Sequence, residues 1–496
     1  MEIGMEMNDR DAHAETLDPK DWTELRALAH RMVDDAFDDL ASVRDRPAWQ
    51  PMPETVERHF RAPVPRQGEG AEATYREYRE FIAAYPMGNT HPRFWAWYMG
   101  AGTMVGALGQ FLAGVLNPNL GGGNHAAGLV EEQVVRWCAE MLGLRTDTSG
   151  LMTSGASMAN LVGLAVARHV HAGFDVRADG MAASPQPLAY YASTEVHSCH
   201  QKAIELMGMG SKTLRKLPVD DRYRLDLNAL REQIGRDRAA GVRPICVIGS
   251  AGTVNTGAVD DLEAIADVCA KEGIWFHVDG AIGALVTLSD ELAPLVKGIE
   301  RADSVALDLH KWMHVPFEAG VALVRDDAAH RGTFALTPEY LEHASRGLAS
   351  GAKWFSDYGL ELSRDFKALK VWLSFKEQGV DVYGRLMARN VAQAKYFAEL
   401  VEREPSLELM APVGLDIVCF RYNPGGMDDA SLSDLNRELL IRIHEGGVAV
   451  PSYTTIHGAY CLRIAISNHR SSFADFDLFA KTVVELGTEL HADVVA

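Results

Sequence analysis

The 496-residue chain is long enough for one large domain with its own core and one or two smaller ones, because single cores stop growing near about 250–300 residues. With 47% hydrophobic and 23% charged residues it reads as an ordinary folded globular protein and not as a disordered one. A formal net charge of -20 excludes nonspecific nucleic-acid binding, which needs a basic surface to displace counterions, so any anionic ligand must be held locally.

The polar, acidic start, MEIGMEMNDRDAHAE, lacks the basic and apolar regions of a signal peptide, and no later segment runs to about 18 apolar residues. Cys138, Cys199, Cys246, Cys269, Cys419 and Cys461 show no CxxC or Cys/His ligand spacing, so no disulfide framework and no metal site is expected. A cytoplasmic protein, away from membranes, is the expectation.

Residues 1–104 read as a helical N-terminal arm. Apolar residues recur at helical spacing from Asp21 to Leu40 (Trp22, Leu25, Leu28, Met32, Val33, Phe37) and again over Ala73–Ala84, with Pro47, Pro51, Pro53, Pro63 and Pro65 between. From 105 to 380 strands and helices alternate: strand-like segments at 187–193, 245–252, 274–279, 304–309 and 320–325 are separated by helical stretches such as Asp260–Lys271. Alternation of this kind predicts an α/β domain with a mostly parallel sheet covered on both faces, whose ligands collect at the carboxyl ends of the strands. Residues 381–496 predict a small α+β domain, with helices over Val380–Glu402 and Ser431–Glu445 and strands over 415–422 and 460–467.

The residues that can carry chemistry fall at strand ends and helix starts. TSGASMANLVGLAVARH (153–169) is a small-residue turn followed by a helical run, which suits either an ordinary capped helix or a phosphate cradle. Its spacing fits neither the dinucleotide nor the nucleoside-triphosphate fingerprint. His197 follows a strand in STEVHSCHQKA. In WFHVDGA a strand ends on Asp279, a charge that calls for a cationic partner: a structural arginine, or a protonated pyridine nitrogen. SVALDLHKWMHVP ends another strand with His310 and Lys311. A desolvated lysine there becomes a Schiff-base nucleophile.

Together these segments resemble the group II amino-acid decarboxylases, the fold-type I pyridoxal-phosphate family that includes aromatic-L-amino-acid and glutamate decarboxylases. The resemblance covers most of the chain, from HPRFWAWY (91–98) through TSGASMANL, HSCHQKA, GTVNTGAVD, HVDGA, DLHKW, LTPEYLEH and SRDFKALKVW to LRIAIS (462–467). It implies a pyridoxal 5′-phosphate cofactor, decarboxylation of an L-amino acid to its amine through an external aldimine and a quinonoid, and a homodimer with the active site at the interface. Lys311 is then the internal-aldimine lysine, Asp279 the partner of the pyridine nitrogen, and His197 and Ala281 the groups on the two ring faces. Ala156, Ser157, His310 and Asp308 hold the phosphate, Thr253 lies near the ring substituents, and Tyr340 protonates the substrate carbon after CO2 leaves.

The sequence departs from the family around the substrate. The family's Ser-Pro-Ala-x-Thr-x-Leu-Glu stretch is NHAAGLVE (124–131) here, with His125, and its Gly-Arg-Arg is Ser363-Arg364-Asp365. Trp97 and Tyr98, followed by Met99 and Gly100, stand where family members line the substrate pocket. Trp97, Tyr98, His125 and Arg364 are therefore the candidate substrate residues. The rival reactions are carbon–carbon lysis and oxidative decarboxylation to an aldehyde; Tyr340, where aldehyde-forming members carry phenylalanine, favours simple decarboxylation. A protein that kept the fold but lost the chemistry is disfavoured by the presence of Lys311, Asp279, His197 and Tyr340 together.

Overall fold

The computed structural model describes residues 16–336, 344–351 and 353–495. A small compact unit lies within Met1–Arg46 and Pro51–Met87. Its helix Trp22–Ala41 starts at Asp21, whose side chain accepts the Thr23 and Glu24 N–H groups. The helix Ala71–Glu77 runs on into a wider turn at Tyr78–Ile82. Arg31 pairs with Glu72, and the Tyr75 hydroxyl donates to Asp35 at 2.5 Å. The periodicity that marked Asp21–Leu40 is amphipathic, yet only Leu28 of this helix is buried; Trp22, Met32, Val33 and Phe37 stay exposed.

The second unit comprises Pro47–Gln50 and Gly88–Ala496. Its larger sheet has seven strands: β1 (Ser149–Thr153), β2 (Leu188–Ser193), β3 (Leu214–Leu217), β4 (Arg243–Ser250), β5 (Trp275–Asp279), β6 (Ser304–Asp308) and β7 (Gly320–Val324). Their spatial order is β1-β7-β6-β5-β4-β2-β3. Neighbours from β6 through β3 pair in parallel, and only β7 runs against its neighbours β6 and β1. Side chains of β1, β2, β6 and β7 are buried throughout, as expected of a sheet covered on both faces. Because β1, β2, β4, β5 and β6 share one direction, Thr153, Ser193, Ser250, Asp279 and Asp308 all end at the same edge.

A four-stranded antiparallel sheet, in the order β10-β11-β9-β8, is built from β8 (Leu407–Leu409), β9 (Ile417–Tyr422), β10 (Ser452–Ile456) and β11 (Ala459–Ala465). The helices Asp381–Arg403, Asp429–Glu445 and Phe473–Val495 accompany it, and their buried residues form a separate core around Phe397, Phe420, Phe476 and Phe479. The segment before the helix Met104–Leu116 is stitched to this sheet: Trp95 N–H donates to Val450 O at 2.8 Å and Ala465 N–H to Trp95 O at 2.9 Å. Thus residues 97–99 are carried to the edge where the larger sheet ends its strands.

Candidate active site

The loops that leave the common strand edge enclose a cavity of about 580 Å³, within the range of cofactor and ligand pockets. Its lining includes Ala156 and Ser157 after β1, His197 after β2, Asp279 and Ala281 at the end of β5, and Asp308, His310 and Lys311 at the end of β6. Trp97, Tyr98, Tyr453 and Arg463 close it from the side of the smaller sheet.

Lys311 Nζ lies 3.1 Å from Asp308 Oδ2, one helical turn back along the chain. The other oxygen of Asp308 accepts the Ala156 N–H at 2.7 Å. One carboxylate therefore ties the lysine to the start of the helix Ala156–His171, an N-terminus with no side-chain cap. His310 accepts the Ala319 N–H on Nδ1 at 3.1 Å, which leaves its proton on Nε2 in the neutral ring; burial holds its pKa below the usual histidine value. Two glycines make this closeness possible. A Cβ on Gly155 would stand 3.2 Å from His310 Cε1, and one on Gly100 only 2.4 Å from Lys311 O. Gly100 also donates its N–H to His310 O at 2.9 Å, which holds the segment after Trp97–Met99 over the lysine.

Across the cavity, Asp279 Oδ1 accepts the Ala281 N–H at 3.2 Å and Oδ2 lies 2.8 Å from His200 Nε2. Burial pushes the Asp279 carboxyl up, but the hydrogen bond from His200, the nearby charge of Lys311 and the Ala281 N–H hold the group well below the usual carboxylate range. His197 caps the helix Ser198–Leu206, its Nδ1 accepting the Cys199 N–H at 3.3 Å. Desolvation lowers its pKa despite the opposing charge of Asp279, so the ring is neutral near pH 7.

The other expected residues divide. Trp97, with a positive φ of 50°, and Tyr98 both line the cavity, and the Tyr98 hydroxyl donates to buried Asp416 at 2.7 Å. Thr253 is engaged in its own turn, its Oγ1 accepting the Ala258 N–H at 3.1 Å, while Gly252, Val254 and Asn255 face the cavity. Arg364 and His125 are not in the described lining. Arg364 is buried against Glu131 at 2.6 Å and also donates to Met152 O at 2.7 Å, and His125 precedes the helix Ala126–Met141. Burying a guanidinium costs heavily unless it is paired, and Glu131 with the Leu120 and Met152 carbonyls takes its two Nη groups, while Nε has no partner among the described residues. Tyr340 lies outside the described residues.

Sequence reasoning passed over His200, three residues from His197 and hence on the same helical face, and Arg463, a charge inside the apolar run YCLRIAIS. Arg463 donates to Trp97 O at 2.6 Å and Asn255 O at 3.1 Å, and its Nη2 has no partner among the described residues.

A helix N-terminus whose own cap residue, Gly155, offers no side chain suits a phosphate beside a neutral histidine, a carboxylate opposite suits a pyridinium nitrogen, and a lysine in the same cavity suits an aldehyde. The donor set therefore fits pyridoxal 5′-phosphate, and with this sheet it defines a fold-type I pyridoxal-phosphate enzyme. Residues 53–423 match the pyridoxal-dependent decarboxylase conserved domain. The chain is 31% identical over 453 residues to the aromatic-L-amino-acid decarboxylase of Bacillus atrophaeus, covering 90% of this chain and 92% of that protein. It is 29% identical over 471 residues to the phenylacetaldehyde synthase of Arabidopsis thaliana, covering 91% and 93%. The crystal structure of Oryza sativa TDC with PLP and tryptamine has a TM-score of 0.88 at 27% identity, covering 96% of this chain and 100% of that one. The chain belongs to the pyridoxal-dependent decarboxylases, and it is a lyase that converts an L-amino acid to the amine and CO2. Among the described residues no helix is long and apolar enough to cross a membrane.

Proposed function

We propose that the substrate is an aromatic L-amino acid. The observation that carries this is the pair of aromatic side chains on the cavity wall: Trp97 and Tyr453 remain 56% and 60% exposed, although rings of this size are normally buried. The naming of the Bacillus atrophaeus relative supports the same class. A second reading, an amino acid with an acidic side chain, is favoured by Arg463, whose Nη2 has no partner among the described residues. Incubation with L-Trp, L-Tyr, L-Phe, L-Glu and L-Asp, scoring CO2 and amine, separates the two. Turnover of L-Glu or L-Asp above that of the aromatic amino acids would discard the first reading.

In this reading Lys311 is the attachment lysine, and Ala156, Ser157, His310 and Asp308 form the phosphate end of the site. Thr253 shapes the loop that borders the ring. Pyridoxal phosphate, when bound, supplies an electron sink for the bond that breaks as CO2 leaves. Asp279, ionised, would keep the cofactor's ring nitrogen protonated, and neutral His197 and small Ala281, which line the same cavity, would hold the ring between them. Trp97 and Tyr98 position the substrate, while Arg364, held by Glu131, and His125 are not in the described lining.

Tyr340 is proposed as the acid that delivers a proton to the substrate carbon once CO2 is gone, since a phenol is neutral at pH 7 and donates readily to a strong carbon base. Tyr340→Phe is expected to keep CO2 release but, with dioxygen as the oxidant, to yield aldehyde, ammonia and hydrogen peroxide in place of most of the amine. Unchanged amine formation by this variant would move the role to another residue.

The exposed apolar side chains Phe111, Leu112, Val115 and Leu116 on the helix Met104–Leu116, with those of the helix Trp22–Ala41, support a homodimer. The six free, buried cysteines suit a reducing cytoplasm. The proposed division of labour follows the chain: residues 1–104 as the arm, 105–380 as the cofactor domain and 381–496 as the small domain.

A further inference from the structure

His200 is completely buried, and the only hydrogen-bond partner of its side chain among the described residues is the carboxylate at the end of β5. It stands one turn behind His197, so the helix Ser198–Leu206 presents one histidine to the cavity and the next to Asp279.

The proton on His200 can be assigned from its surroundings. Trp275 Nε1–H donates to Ser304 Oγ at 2.8 Å, which leaves the Ser304 hydroxyl proton for His277 Nδ1 at 2.7 Å. His277 then carries its own proton on Nε2 and donates it to Asn160 Oδ1 at 2.8 Å, while Asn160 Nδ2 donates to Cys199 Sγ at 3.4 Å. This chain of donors is satisfied with every member neutral. The His200 ring sits 6.0 Å from that of His277, and its Nδ1 is buried without a partner among the described residues. A second proton, on Nδ1, would leave a charged N–H buried and unpaired, a larger penalty than a bare lone pair.

We propose that His200 is a positioning residue for Asp279: a neutral imidazole whose Nε2–H fixes the orientation of the carboxylate and so sets how tightly the site holds the cofactor's ring nitrogen. The inference rests on the reading of Asp279 as the partner of that nitrogen. It leaves the imidazole's shape and basicity without a role, so a side chain that offers an N–H at the same reach can replace it. Glutamine does so; asparagine is too short, and leucine has no donor.

The test is titration of the apo-protein with pyridoxal phosphate, followed by absorbance, together with thermal melting of each apo-variant. In the parent background His200→Leu and His200→Asn are each expected to weaken cofactor binding about 10- to 100-fold, the range of a hydrogen bond to a charged group. His200→Gln is expected to stay within about threefold of the parent. In an Asp279→Ala background, where no acceptor remains, His200→Leu is expected to change binding by less than about threefold. Equal weakening with and without Asp279 means that His200 acts by packing, and a glutamine variant as weak as the leucine one means that the imidazole itself is needed; either result overturns the inference. If His200→Leu melts far below the parent, the Gln/Asn pair makes the same comparison between two polar side chains. If Asp279→Ala alone leaves cofactor binding unchanged, the reading of Asp279 falls and the inference falls with it, a result distinct from a silent His200.

Discussion

Lys311→Ala is expected to lower turnover by about 10⁴-fold or more, the scale on which enzymes lose activity when their covalent nucleophile is deleted. No neighbour can replace it. Among the described cavity-lining residues Lys311 is the sole lysine, and two other lysines are committed elsewhere: Lys370 donates to Phe317 O at 2.8 Å and Lys353 lies over the Tyr358 ring. Asp308 holds the Lys311 ammonium in place at 3.1 Å and is itself anchored by the Ala156 N–H, so the alanine variant keeps the phosphate end of the site intact. Borohydride treatment of the parent holoprotein is expected to fix pyridoxal phosphate to the peptide that contains Lys311 and to no other, and to leave the variant unlabelled. Label on the Lys353 or Lys370 peptide would refute the assignment.

Asp279→Asn is expected to bind the cofactor weakly and to lose roughly 2–5 kcal/mol of catalytic advantage, about a 30- to 5,000-fold fall in kcat/KM. Asparagine keeps the shape and still accepts from Ala281 N–H, but it cannot hold a positive charge on a ring nitrogen. The folded-state pKa of Asp279 is depressed, so its ionisation contributes stability above the unfolded carboxylate value near 4, and that contribution is lost as pH falls toward the folded value. Two consequences follow for the apo-protein. Between pH 5 and 8, Asp279 adds no pH dependence to the melting temperature; below about pH 4 the parent is expected to lose stability more steeply than Asp279→Asn. Thermal melts across pH 3–8 check this, and near-normal turnover by the variant would overturn the electron-sink role.

The features that could be read from the sequence are those in which a polar residue interrupts an apolar run. Asp279 after WFHV and Lys311 after SVALDLH betray strand ends, and the shared direction of β5 and β6 brings them to one edge. Short or weakly patterned strands were hidden: SGLMT, which becomes β1, opens on two small residues, and LRKL, which becomes β3, is four residues long with two charges at its centre. Pairings across great sequence distance were hidden as well. Arg364 and Glu131 are 233 residues apart, so nothing local distinguishes an arginine bound for a buried ion pair from one that meets a substrate. His200 and Asp279 are 79 apart, and the helical offset from His197 becomes informative only once β2 and β5 are known to end together. Nothing local in HPRFWAWY tells a core ring from a wall ring at Trp97; its exposure goes with a positive φ and with Arg463 and Ser467, which hold the carbonyls of Trp97 and Met99 from β11 and beyond.

The groups proposed to break the bond and the groups proposed to frame the substrate come from different sheets. Asp279, Asp308 and Lys311 come from the seven-stranded sheet, whereas Tyr453 and Arg463 come from the four-stranded one, and Trp97 is pinned to the latter. For laboratory evolution this separates two mutational searches. A library confined to codons 97, 98, 453 and 463 explores new side-chain preferences while leaving the carbon-acid machinery untouched, and a lineage drifting in the small sheet can change its diet without relearning its reaction.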